Sequence, residues 1–332
     1  MSSDASIEAF YSFVNADAFD PDASDRSIDI INPWTCSTVA QMHCAGTTGI
    51  NHAVAAAKTA FQKNRNATRL QRSQWLEAAA ARIDADQDAL SGMMVQMIGK
   101  PVKAAKFEVG RSAAFIRSCA RHILEMAGEM VPLDSSAAGA GRIGYADRVP
   151  FGVVLGVTPF NAPANLLVQK VAPALATGNA IIVKPSPEGA AVALRIAALF
   201  AQAGLPEGLF QVILGDAQEA LTLAAHPDIA VVTLTGGTAA GEALAKAGGA
   251  KPFLGELGGN SANIVCADAD IQDAAARIAP SAFEASGQQC ISTQRIIVDR
   301  TVYGAFVEAL LDRVSKMKAG DPAQPDTDLG PV

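Results

Sequence analysis

The pattern of apolar and polar positions changes its period near the middle of the chain. In the first part, alanine-rich apolar residues recur at helical spacing, which predicts helices over residues 50–61, 76–98 and 109–126 within a mainly helical region, 27–130. Residues 131–148 are rich in serine, alanine and glycine, and they predict an extended segment or hairpin that projects from the core. We therefore expect this part to supply helices that cover a sheet.

From residue 152 onward, short apolar runs alternate with segments of helix length. The runs predict strands over residues 153–157, 180–183, 210–214, 230–234 and 263–265, and the intervening segments predict helices over residues 190–203, 217–225 and 239–247. Near-continuous apolar strands separated by helices are typical of a parallel sheet, so a nucleotide-binding α/β domain is predicted. A helix over 271–285, a strand over 295–298 and a helix over 303–318 begin another domain.

Composition and charge exclude several classes of partner. Half of the 332 residues are hydrophobic and the formal net charge is -7, which predicts a folded, soluble, acidic protein. The sequence has no cluster of lysine and arginine of the kind that binds along a phosphate backbone. Neither nucleic acid nor an anionic membrane is therefore an expected partner. The first residues lack the basic and apolar regions of a secretory signal, and prolines interrupt the longest uncharged run, 149–169. No export and no membrane anchor are expected.

The five cysteines are too few and too irregular for a disulfide framework, so a reducing cytoplasm is the expected location. Together with the four histidines they show no paired spacing of a zinc site, and no metal is expected.

Asn161 follows the predicted strand 153–157 and is held between Pro159 and Pro163, after Thr158. Its side-chain amide could donate a hydrogen bond to a developing oxyanion. The alternative is that Asn161 caps the turn.

Lys184 lies just past the carboxyl end of the predicted strand 180–183, where ligands bind in open α/β sheets. It could donate to ribose hydroxyls or phosphate oxygens, while a solvated loop lysine is the alternative. Farther along, Gly236, Gly237, Thr238 and Gly241 join a strand to a helix whose N-terminus would face an anion such as a pyrophosphate. This pattern is not the G-x-G-x-x-G fingerprint, and a tight turn alone would explain it.

Two further side chains have acid–base or nucleophilic chemistry. Glu256 lies among apolar and glycine neighbours, where desolvation would raise its pKa towards that of a general base; an exposed loop glutamate is the alternative. Cys290 lies in a short polar loop without a charged neighbour, whereas the other four cysteines are expected to be small buried hydrophobes. Activation of Cys290 would have to come from the fold or from a bound cofactor.

These segments, taken in their order, resemble the NAD(P)-dependent aldehyde dehydrogenase superfamily. The matching motifs are Pro159-Phe160-Asn161, Lys184-Pro185-Ser186, Thr235-Gly236-Gly237, Glu256-Leu257-Gly258-Gly259 and Gly287-Gln288-Gln289-Cys290, and the resemblance extends from about Ile31 to the last residue. It implies an α/β fold with a Rossmann-type parallel-sheet cofactor domain and an incomplete α/β catalytic domain. The implied domains are a cofactor domain over 1–130 and 152–257, an oligomerisation hairpin over 131–151 and a partial catalytic domain over 258–332.

The resemblance implies that Cys290 is the nucleophile, Glu256 the general base and Asn161 the oxyanion donor beside the Cys290 backbone N–H. The implied reaction oxidises a small aldehyde to a carboxylic acid through a cysteine thiohemiacetal and a thioester, which water activated by Glu256 hydrolyses. Family members that acylate coenzyme A usually lack this glutamate, so hydrolysis is favoured.

The resemblance also implies the residues that bind NAD or NADP. They are Thr158, Pro159, Lys184, Ser186, Pro187, Gly236, Gly237, Thr238, Gly241 and Leu257. Lys184 would contact the adenosine ribose, and residues 236–241 would form the pyrophosphate turn. Many NAD-selective members have a glutamate where Pro187 stands, so NADP is expected to be tolerated or preferred. Gly237 replaces a frequent phosphate-binding serine, for which Thr238 is the substitute.

Family members continue well beyond residues 328–332, through a Glu-x-Pro-Phe-Gly segment and a final oligomerisation strand. The chain is therefore expected to be C-terminally truncated, and its full-length parent to be a homodimer or homotetramer. Two other hypotheses stay open: a truncated, non-catalytic nucleotide-binding fragment, and a cysteine-dependent esterase.

The substrate is not specified by the sequence. The neutral residues Leu166, Gln169, Gln289 and Ile291, at pocket positions of the family, favour a small uncharged or hydroxylated aldehyde. An anionic aldehyde is the alternative, because Arg111 and Arg295 could bind its charge.

Overall fold

The structure, a computed structural model, describes residues 7–19 and 26–331. Its strands are β1 (Glu8–Phe10), β2 (Ser12–Val14), β3 (Asp17–Phe19), β4 (Ser27–Ile31), β5 (Thr38–His43), β6 (Glu129–Val131), β7 (Gly144–Ala146), β8 (Val153–Thr158), β9 (Ala180–Pro185), β10 (Phe210–Val212), β11 (Ile229–Thr235), β12 (Phe253–Glu256), β13 (Ser261–Val265) and β14 (Thr293–Val298). Its helices are α1 (Gly46–Asn64), α2 (Arg69–Ala85), α3 (Gln87–Ile98), α4 (Val102–Glu125), α5 (Asn165–Ala176), α6 (Ala190–Gln202), α7 (Ala217–Ala225), α8 (Thr238–Gly248), α9 (Ile271–Phe283) and α10 (Tyr303–Val314).

The main sheet has the order β12-β11-β8-β9-β10-β2-β3. Its first five strands are parallel, whereas β2 and β3 add antiparallel strands at one edge. Strand β9 is buried along its whole length, and β8 nearly so, because helices pack on the sheet. This confirms the predicted α/β fold and explains why these strands are almost continuously apolar.

The predicted single helix over 76–98 is wrong. Helix α2 ends and α3 begins at Asp86, whose backbone (φ -98°, ψ 13°) is not helical. Arg195 of α6 donates two hydrogen bonds to the Asp86 carboxylate, at 2.8 and 2.5 Å. The ion pair therefore holds the chain at the break between the two helices.

The prediction of a mainly helical region over 27–130 is also incomplete. Strands β4 and β5 pair in antiparallel fashion within it, and β1 adds to β5 in parallel. The prediction missed α5 and β12 as well. The uncharged run that contains α5 was expected to be strand plus loop, because its prolines hid the helical spacing.

Residues 129–146 form a hairpin, as predicted. Strands β6 and β7 pair in antiparallel fashion, with two short 3₁₀ turns between them. The side chains of Ile143 and Tyr145 are 84% and 81% exposed. The hairpin therefore contributes little to the core and projects from it.

The described residues form two hydrophobic cores of unequal size. The large core contains the main sheet and the helices on it. The small core lies between the parallel pair β13–β14 and helices α9 and α10, around Val265, Ile278 and Phe306. No helix in the described part of the chain is long and apolar enough to cross a membrane. The domain boundaries at residues 130, 152 and 257 remain predictions.

Candidate active site

The order of the main sheet reverses at β8. From β8 the chain continues to β9 and β10 on one side, whereas β11 and β12 lie on the other side. Open α/β sheets bind ligands in the crevice at the carboxyl ends of the strands that flank such a reversal. The segment after β8 carries Asn161, and the segment after β11 carries the glycine turn over 236–241. Both predicted segments therefore lie at the edge of the sheet where a ligand is expected.

A cavity of about 830 Å³ opens at this edge. Its wall includes Asn161, Glu256 and Cys290, which come from three separate parts of the chain. The structure therefore brings the three predicted catalytic side chains to one cavity.

Asn161 lies in the loop between β8 and α5. Its side-chain Nδ2 donates a hydrogen bond of 2.6 Å to the carbonyl oxygen of Gln288, two residues before Cys290. Because a carboxamide nitrogen carries two N–H groups, the second can still donate to another acceptor. The contact fixes the Asn161 amide against the loop of Cys290.

The Cys290 loop has an unusual backbone. Ala285, Ser286 and Gly287 have φ angles of 49°, 55° and 75°, in the left-handed region that disfavours alanine and serine. Strained backbone of this kind clusters at functional sites, where the surrounding structure maintains it. The loop continues through Cys290, whose side chain is exposed, to the start of β14. The carbonyl oxygen of Cys290 lies 3.2 Å from the position that a Cβ on Gly259 would take. Gly259 therefore allows the two segments to approach closely.

Glu256 ends β12, and its side chain is exposed. The predicted burial of this carboxylate is therefore wrong. The reason is that β12 is the edge strand of the main sheet and leaves its last residue facing the open cavity. The backbone carbonyl of Glu256 accepts a hydrogen bond of 3.0 Å from the N–H of Gly236, which ties the catalytic carboxylate candidate to the glycine turn.

Lys170, on α5, is a cavity residue that the sequence analysis missed. It is 8% exposed, and its Nζ donates a hydrogen bond of 3.2 Å to Oγ1 of Thr233. Burial lowers the pKa of its amine to about 8, against the opposing effect of the Glu256 charge. One feature of the sequence could have identified it, because Lys170 is the single charged residue between Arg148 and Lys184.

Lys184 lies near the end of β9 and is 6% exposed, so the alternative of a solvated loop lysine is wrong. Burial lowers the pKa of its amine, and the charges of Asp216, Glu219 and Glu188 oppose that shift. The amine therefore lies at the carboxyl end of β9, near three carboxylates.

The neighbouring segment is held by short-range contacts. The N–H of Ser186 donates to the carbonyl oxygen of Thr158 at 2.9 Å, and Oγ of Ser186 accepts from the N–H of Gly189 at 3.2 Å. Pro187 begins the 3₁₀ turn that follows. These contacts tie Ser186 and Pro187, after β9, to Thr158 at the end of β8, but none of these residues lines the cavity of Cys290.

The glycine turn leaves the N-terminus of α8 without a side-chain cap. Gly237 is the N-cap residue, and its lack of a side chain leaves the first N–H groups of the helix open to a ligand. A Cβ on Gly241 would lie 2.6 Å from Cδ2 of Leu257, so Leu257 packs directly on this helix turn. Thr238, in the first turn, is exposed. The arrangement can bind an anionic group at the start of α8.

The neutral residues Leu166, Gln169, Gln289 and Ile291 all line the cavity. Arg111 of α4 lines it as well, with its guanidinium carbon 5.9 Å from the ring centre of Phe107. No carboxylate of residues 7–19 and 26–331 pairs with Arg111 within 4.0 Å. Arg295 lies on β14 and is not among the lining residues. The residues that the structure covers contain no group of acidic, histidine or cysteine side chains that could hold a metal ion.

Comparison with known proteins identifies the family of the chain. A sequence model described as the aldehyde dehydrogenase family matches residues 19–332. Among curated relatives, the chain is 35% identical over 305 residues to the aldehyde-dehydrogenase-like protein y4uC of Sinorhizobium fredii, which covers 92% of this chain and 60% of that protein. It is also 35% identical over 308 residues to the 3-sulfolactaldehyde dehydrogenase of Priestia aryabhattai, which covers 92% of this chain and 64% of that protein.

Among solved structures, the chain is similar to NADP-dependent glyceraldehyde-3-phosphate dehydrogenase from Bacillus halodurans C-125, complexed with NADP. The TM-score is 0.93 at 31% identity, over 96% of this chain and 67% of that one. The chain thus spans 60 to 64% of the length of the curated relatives named above.

Proposed function

The chain belongs to the aldehyde dehydrogenase family, and we propose that it oxidises an aldehyde to a carboxylic acid with NAD or NADP as the hydride acceptor. The observation that carries this proposal is the single cavity lined by Asn161, Glu256 and Cys290. A thiol, a carboxylate and a carboxamide on one cavity provide a nucleophile, a base and an oxyanion donor.

The Cys290 thiolate forms a bond from its sulfur to the carbonyl carbon of the aldehyde, and the carbonyl oxygen becomes an alkoxide. The free N–H of the Asn161 amide and the backbone N–H of Cys290 stabilise this alkoxide. When bound, the nicotinamide supplies the acceptor for the hydride that leaves this carbon, after which the substrate is a thioester of Cys290. Glu256 removes a proton from water as the water oxygen bonds to the thioester carbon. The carbon–sulfur bond then breaks, which releases the acid and the thiolate.

The residues at the carboxyl ends of β8, β9 and β11 suit a dinucleotide. Lys184 is buried at the carboxyl end of β9, and the start of α8 has no side-chain cap on its first backbone N–H groups. Lys184 would hold the adenosine ribose and residues 236–241 the pyrophosphate. The remaining contacts would come from Thr158, Pro159, Ser186, Pro187 and Leu257.

Both NAD and NADP are proposed as cofactors. Pro187 supplies no carboxylate that would repel a 2′-phosphate. Asp216, Glu219 and Glu188 lie near Lys184; Arg26 pairs with the first two, at 2.5 and 3.0 Å, and offsets their charge, whereas Glu188 has no salt bridge among the described residues. The relative from Bacillus halodurans binds NADP, in agreement with a site that accepts the additional phosphate.

For the substrate, we propose a small aldehyde with an anionic group at its far end. Arg111 presents a cation to the cavity without a carboxylate partner among the described residues. This favours an anionic substrate over the neutral aldehyde that the sequence favoured. The names of 3-sulfolactaldehyde dehydrogenase and glyceraldehyde-3-phosphate dehydrogenase both specify aldehydes with an anionic group.

The β6–β7 hairpin is proposed to mediate self-association into a homodimer or homotetramer, because its apolar side chains, such as Ile143, are exposed. We place the protein in the cytoplasm, where the free thiols of Cys36, Cys119, Cys266 and Cys290 would stay reduced.

The proposal is tested by following NAD and NADP reduction with glyceraldehyde 3-phosphate, a sulfonated aldehyde and a neutral aldehyde of similar size. Reduction is expected with the wild type and should fall at least about a thousandfold in Cys290→Ala, whereas Cys266→Ala, also an exposed thiol, should keep its rate. Arg111→Gln should raise KM for the anionic aldehydes only.

Pro187→Glu should shift the kcat/KM ratio of the two cofactors towards NAD. Ester hydrolysis without cofactor-dependent oxidation would support the esterase hypothesis instead, and cofactor binding without either reaction would support the non-catalytic fragment.

A further inference from the structure

A second group of charged side chains lies beside Asn161, at the wall of the same cavity. Lys100 precedes α4 and Glu108 lies on its second turn, and they are only 7% and 5% exposed. Their side chains form an ion pair between Nζ of Lys100 and Oε2 of Glu108. Charged side chains are almost never buried to this degree unless they are paired and hydrogen-bonded.

Within the described part of the chain, the remaining side-chain hydrogen bonds of this pair all go to the segment over 161–165. Nζ of Lys100 donates to the backbone carbonyl oxygen of Asn161 at 3.0 Å. Oε1 of Glu108 accepts from the backbone N–H groups of Ala164 and Asn165, at 2.9 and 3.0 Å. The pair therefore binds both ends of the segment that carries the oxyanion donor.

Glu108 also replaces a missing helix cap. Ala164 is the N-cap residue of α5, and its side chain accepts no capping hydrogen bond. The first N–H groups of a helix need an acceptor, and the positive end of the helix dipole favours an anionic one. The carboxylate of Glu108, which comes from α4, meets both requirements and fixes where α5 begins.

A buried ion pair is a weak means of stabilising a fold, because removing two charges from water opposes their mutual attraction. Apolar side chains of similar volume would hold α4 against α5 at least as firmly. What they could not do is bind a specific carbonyl and two specific N–H groups. The hydrogen bonds of this pair are thus better suited to placing a backbone segment than to stabilising the core.

We propose that Lys100 and Glu108 are positioning residues for the oxyanion donor. By holding residues 161–165, they set the place of the Asn161 amide against the loop of Cys290, which the amide contacts through Gln288. Although both residues line the cavity, their charged atoms are buried and engaged with each other and with the backbone, so we place their effect in Asn161 rather than in a contact with the substrate. This inference rests on the proposed aldehyde oxidation for its kinetic consequence, but the positioning itself can be measured without turnover.

The test compares two variants that each remove both charges of an ion pair, so that no unpaired charge stays buried. Lys100→Met/Glu108→Leu removes the pair beside Asn161, whereas Arg195→Met/Asp86→Leu removes the pair between α6 and the α2–α3 break. We expect kcat to fall about 10- to 100-fold in the first variant, with KM within about threefold of the wild type, because an oxyanion donor acts on the transition state. The control should keep kcat within about twofold.

Two further measurements separate positioning from a structural defect. Lys100→Met/Glu108→Gln restores an acceptor for the two N–H groups of α5 and should recover part of kcat. In an Asn161→Ala background, Lys100→Met/Glu108→Leu should lower kcat by less than about threefold, because the donor that it positions is already absent. A full, additive loss in that background would overturn the proposal, as would an unchanged kcat in the first variant.

If the wild type oxidises no aldehyde, the proposed function fails but the inference is still decided by amide hydrogen exchange. The amides of residues 161–166 and 286–291 should exchange faster in Lys100→Met/Glu108→Leu than in the wild type. In the control variant, they should exchange at the rate of the wild type. Equal exchange of these segments in all three proteins would overturn the inference.

Discussion

At the scale of the residue, Lys170 shows how burial changes the pKa of a lysine, a residue type that usually lies in solvent. Its amine is almost enclosed at the cavity wall, and its pKa is lowered to about 8. Glu256 opposes this effect but is itself exposed, so its charge compensates the burial of the amine only in part. Protonated Lys170 is therefore less stable in the folded chain than in the unfolded one.

This difference predicts a pH-dependent stability. The amine has a pKa of about 8 when folded and of 10.5 as a free side chain, so the unfolded state binds more protons between these values. The contribution of Lys170 to the free energy of unfolding is thus most unfavourable below pH 8 and becomes less so as the pH rises. Between pH 7 and pH 9.5, the free energy of unfolding measured with urea should rise by about 2 kcal/mol more in the wild type than in Lys170→Met. The same pH dependence in both proteins would show that the amine is not buried as described.

At the scale of the element, the break between α2 and α3 depends on one carboxylate. Asp86 accepts both hydrogen bonds of Arg195 while its side chain is 15% exposed, so a truncation would leave a half-buried guanidinium without its partner. Asp86→Ala should lower the free energy of unfolding by about 2 kcal/mol. Asp88→Ala, two residues farther along, removes an 87% exposed carboxylate paired with Lys106 and should cost at most about 1 kcal/mol. Thermal or urea unfolding of the two variants checks the prediction, which equal losses would contradict.

The same break explains why helix spacing alone gave one long helix over 76–98. The apolar period continues from α2 into α3, because both helices pack on α4 and α6. The interruption comes from Asp86, whose partner Arg195 is more than a hundred residues away and leaves no mark on the local pattern. Element boundaries of this kind are set by tertiary contacts, which a periodicity does not contain.

At the scale of the whole molecule, the central strands could be predicted because a fully buried strand must be apolar on both faces, as β9 is. Strand β4 could not, because it is short and mostly exposed. The residues of the candidate site were identified through family resemblance. Spacing alone could not show that Asn161 and Glu256 share a cavity with Cys290, since the sheet topology brings them together. The exposure of Glu256 was missed because the position of β12 at the sheet edge depends on strand order.

The two cores of the molecule predict two levels of local stability. Strands β13 and β14 pair only with each other among the described residues, over a core with few buried residues, whereas β8 and β9 lie within the main sheet. A two-stranded sheet is marginal without strong packing, so residues 261–314 should open without unfolding of the main sheet. Amides of β13 and β14 should exchange with deuterium at least about tenfold faster than those of β8 and β9.

A matched pair of core truncations tests whether the small core opens by itself. Val265→Ala removes methyl groups from the small core, and Val183→Ala removes the same groups from the large core. Val265→Ala should accelerate exchange within 261–314 and leave β8 and β9 protected. Val183→Ala, by contrast, should lower the protection of β8 and β9 and leave exchange within 261–314 unchanged, because local opening of the small core sets the exchange rate there. If Val265→Ala accelerated exchange equally in β9 and β14, the two cores would unfold as one cooperative unit, and the separation seen in their packing would have no energetic counterpart.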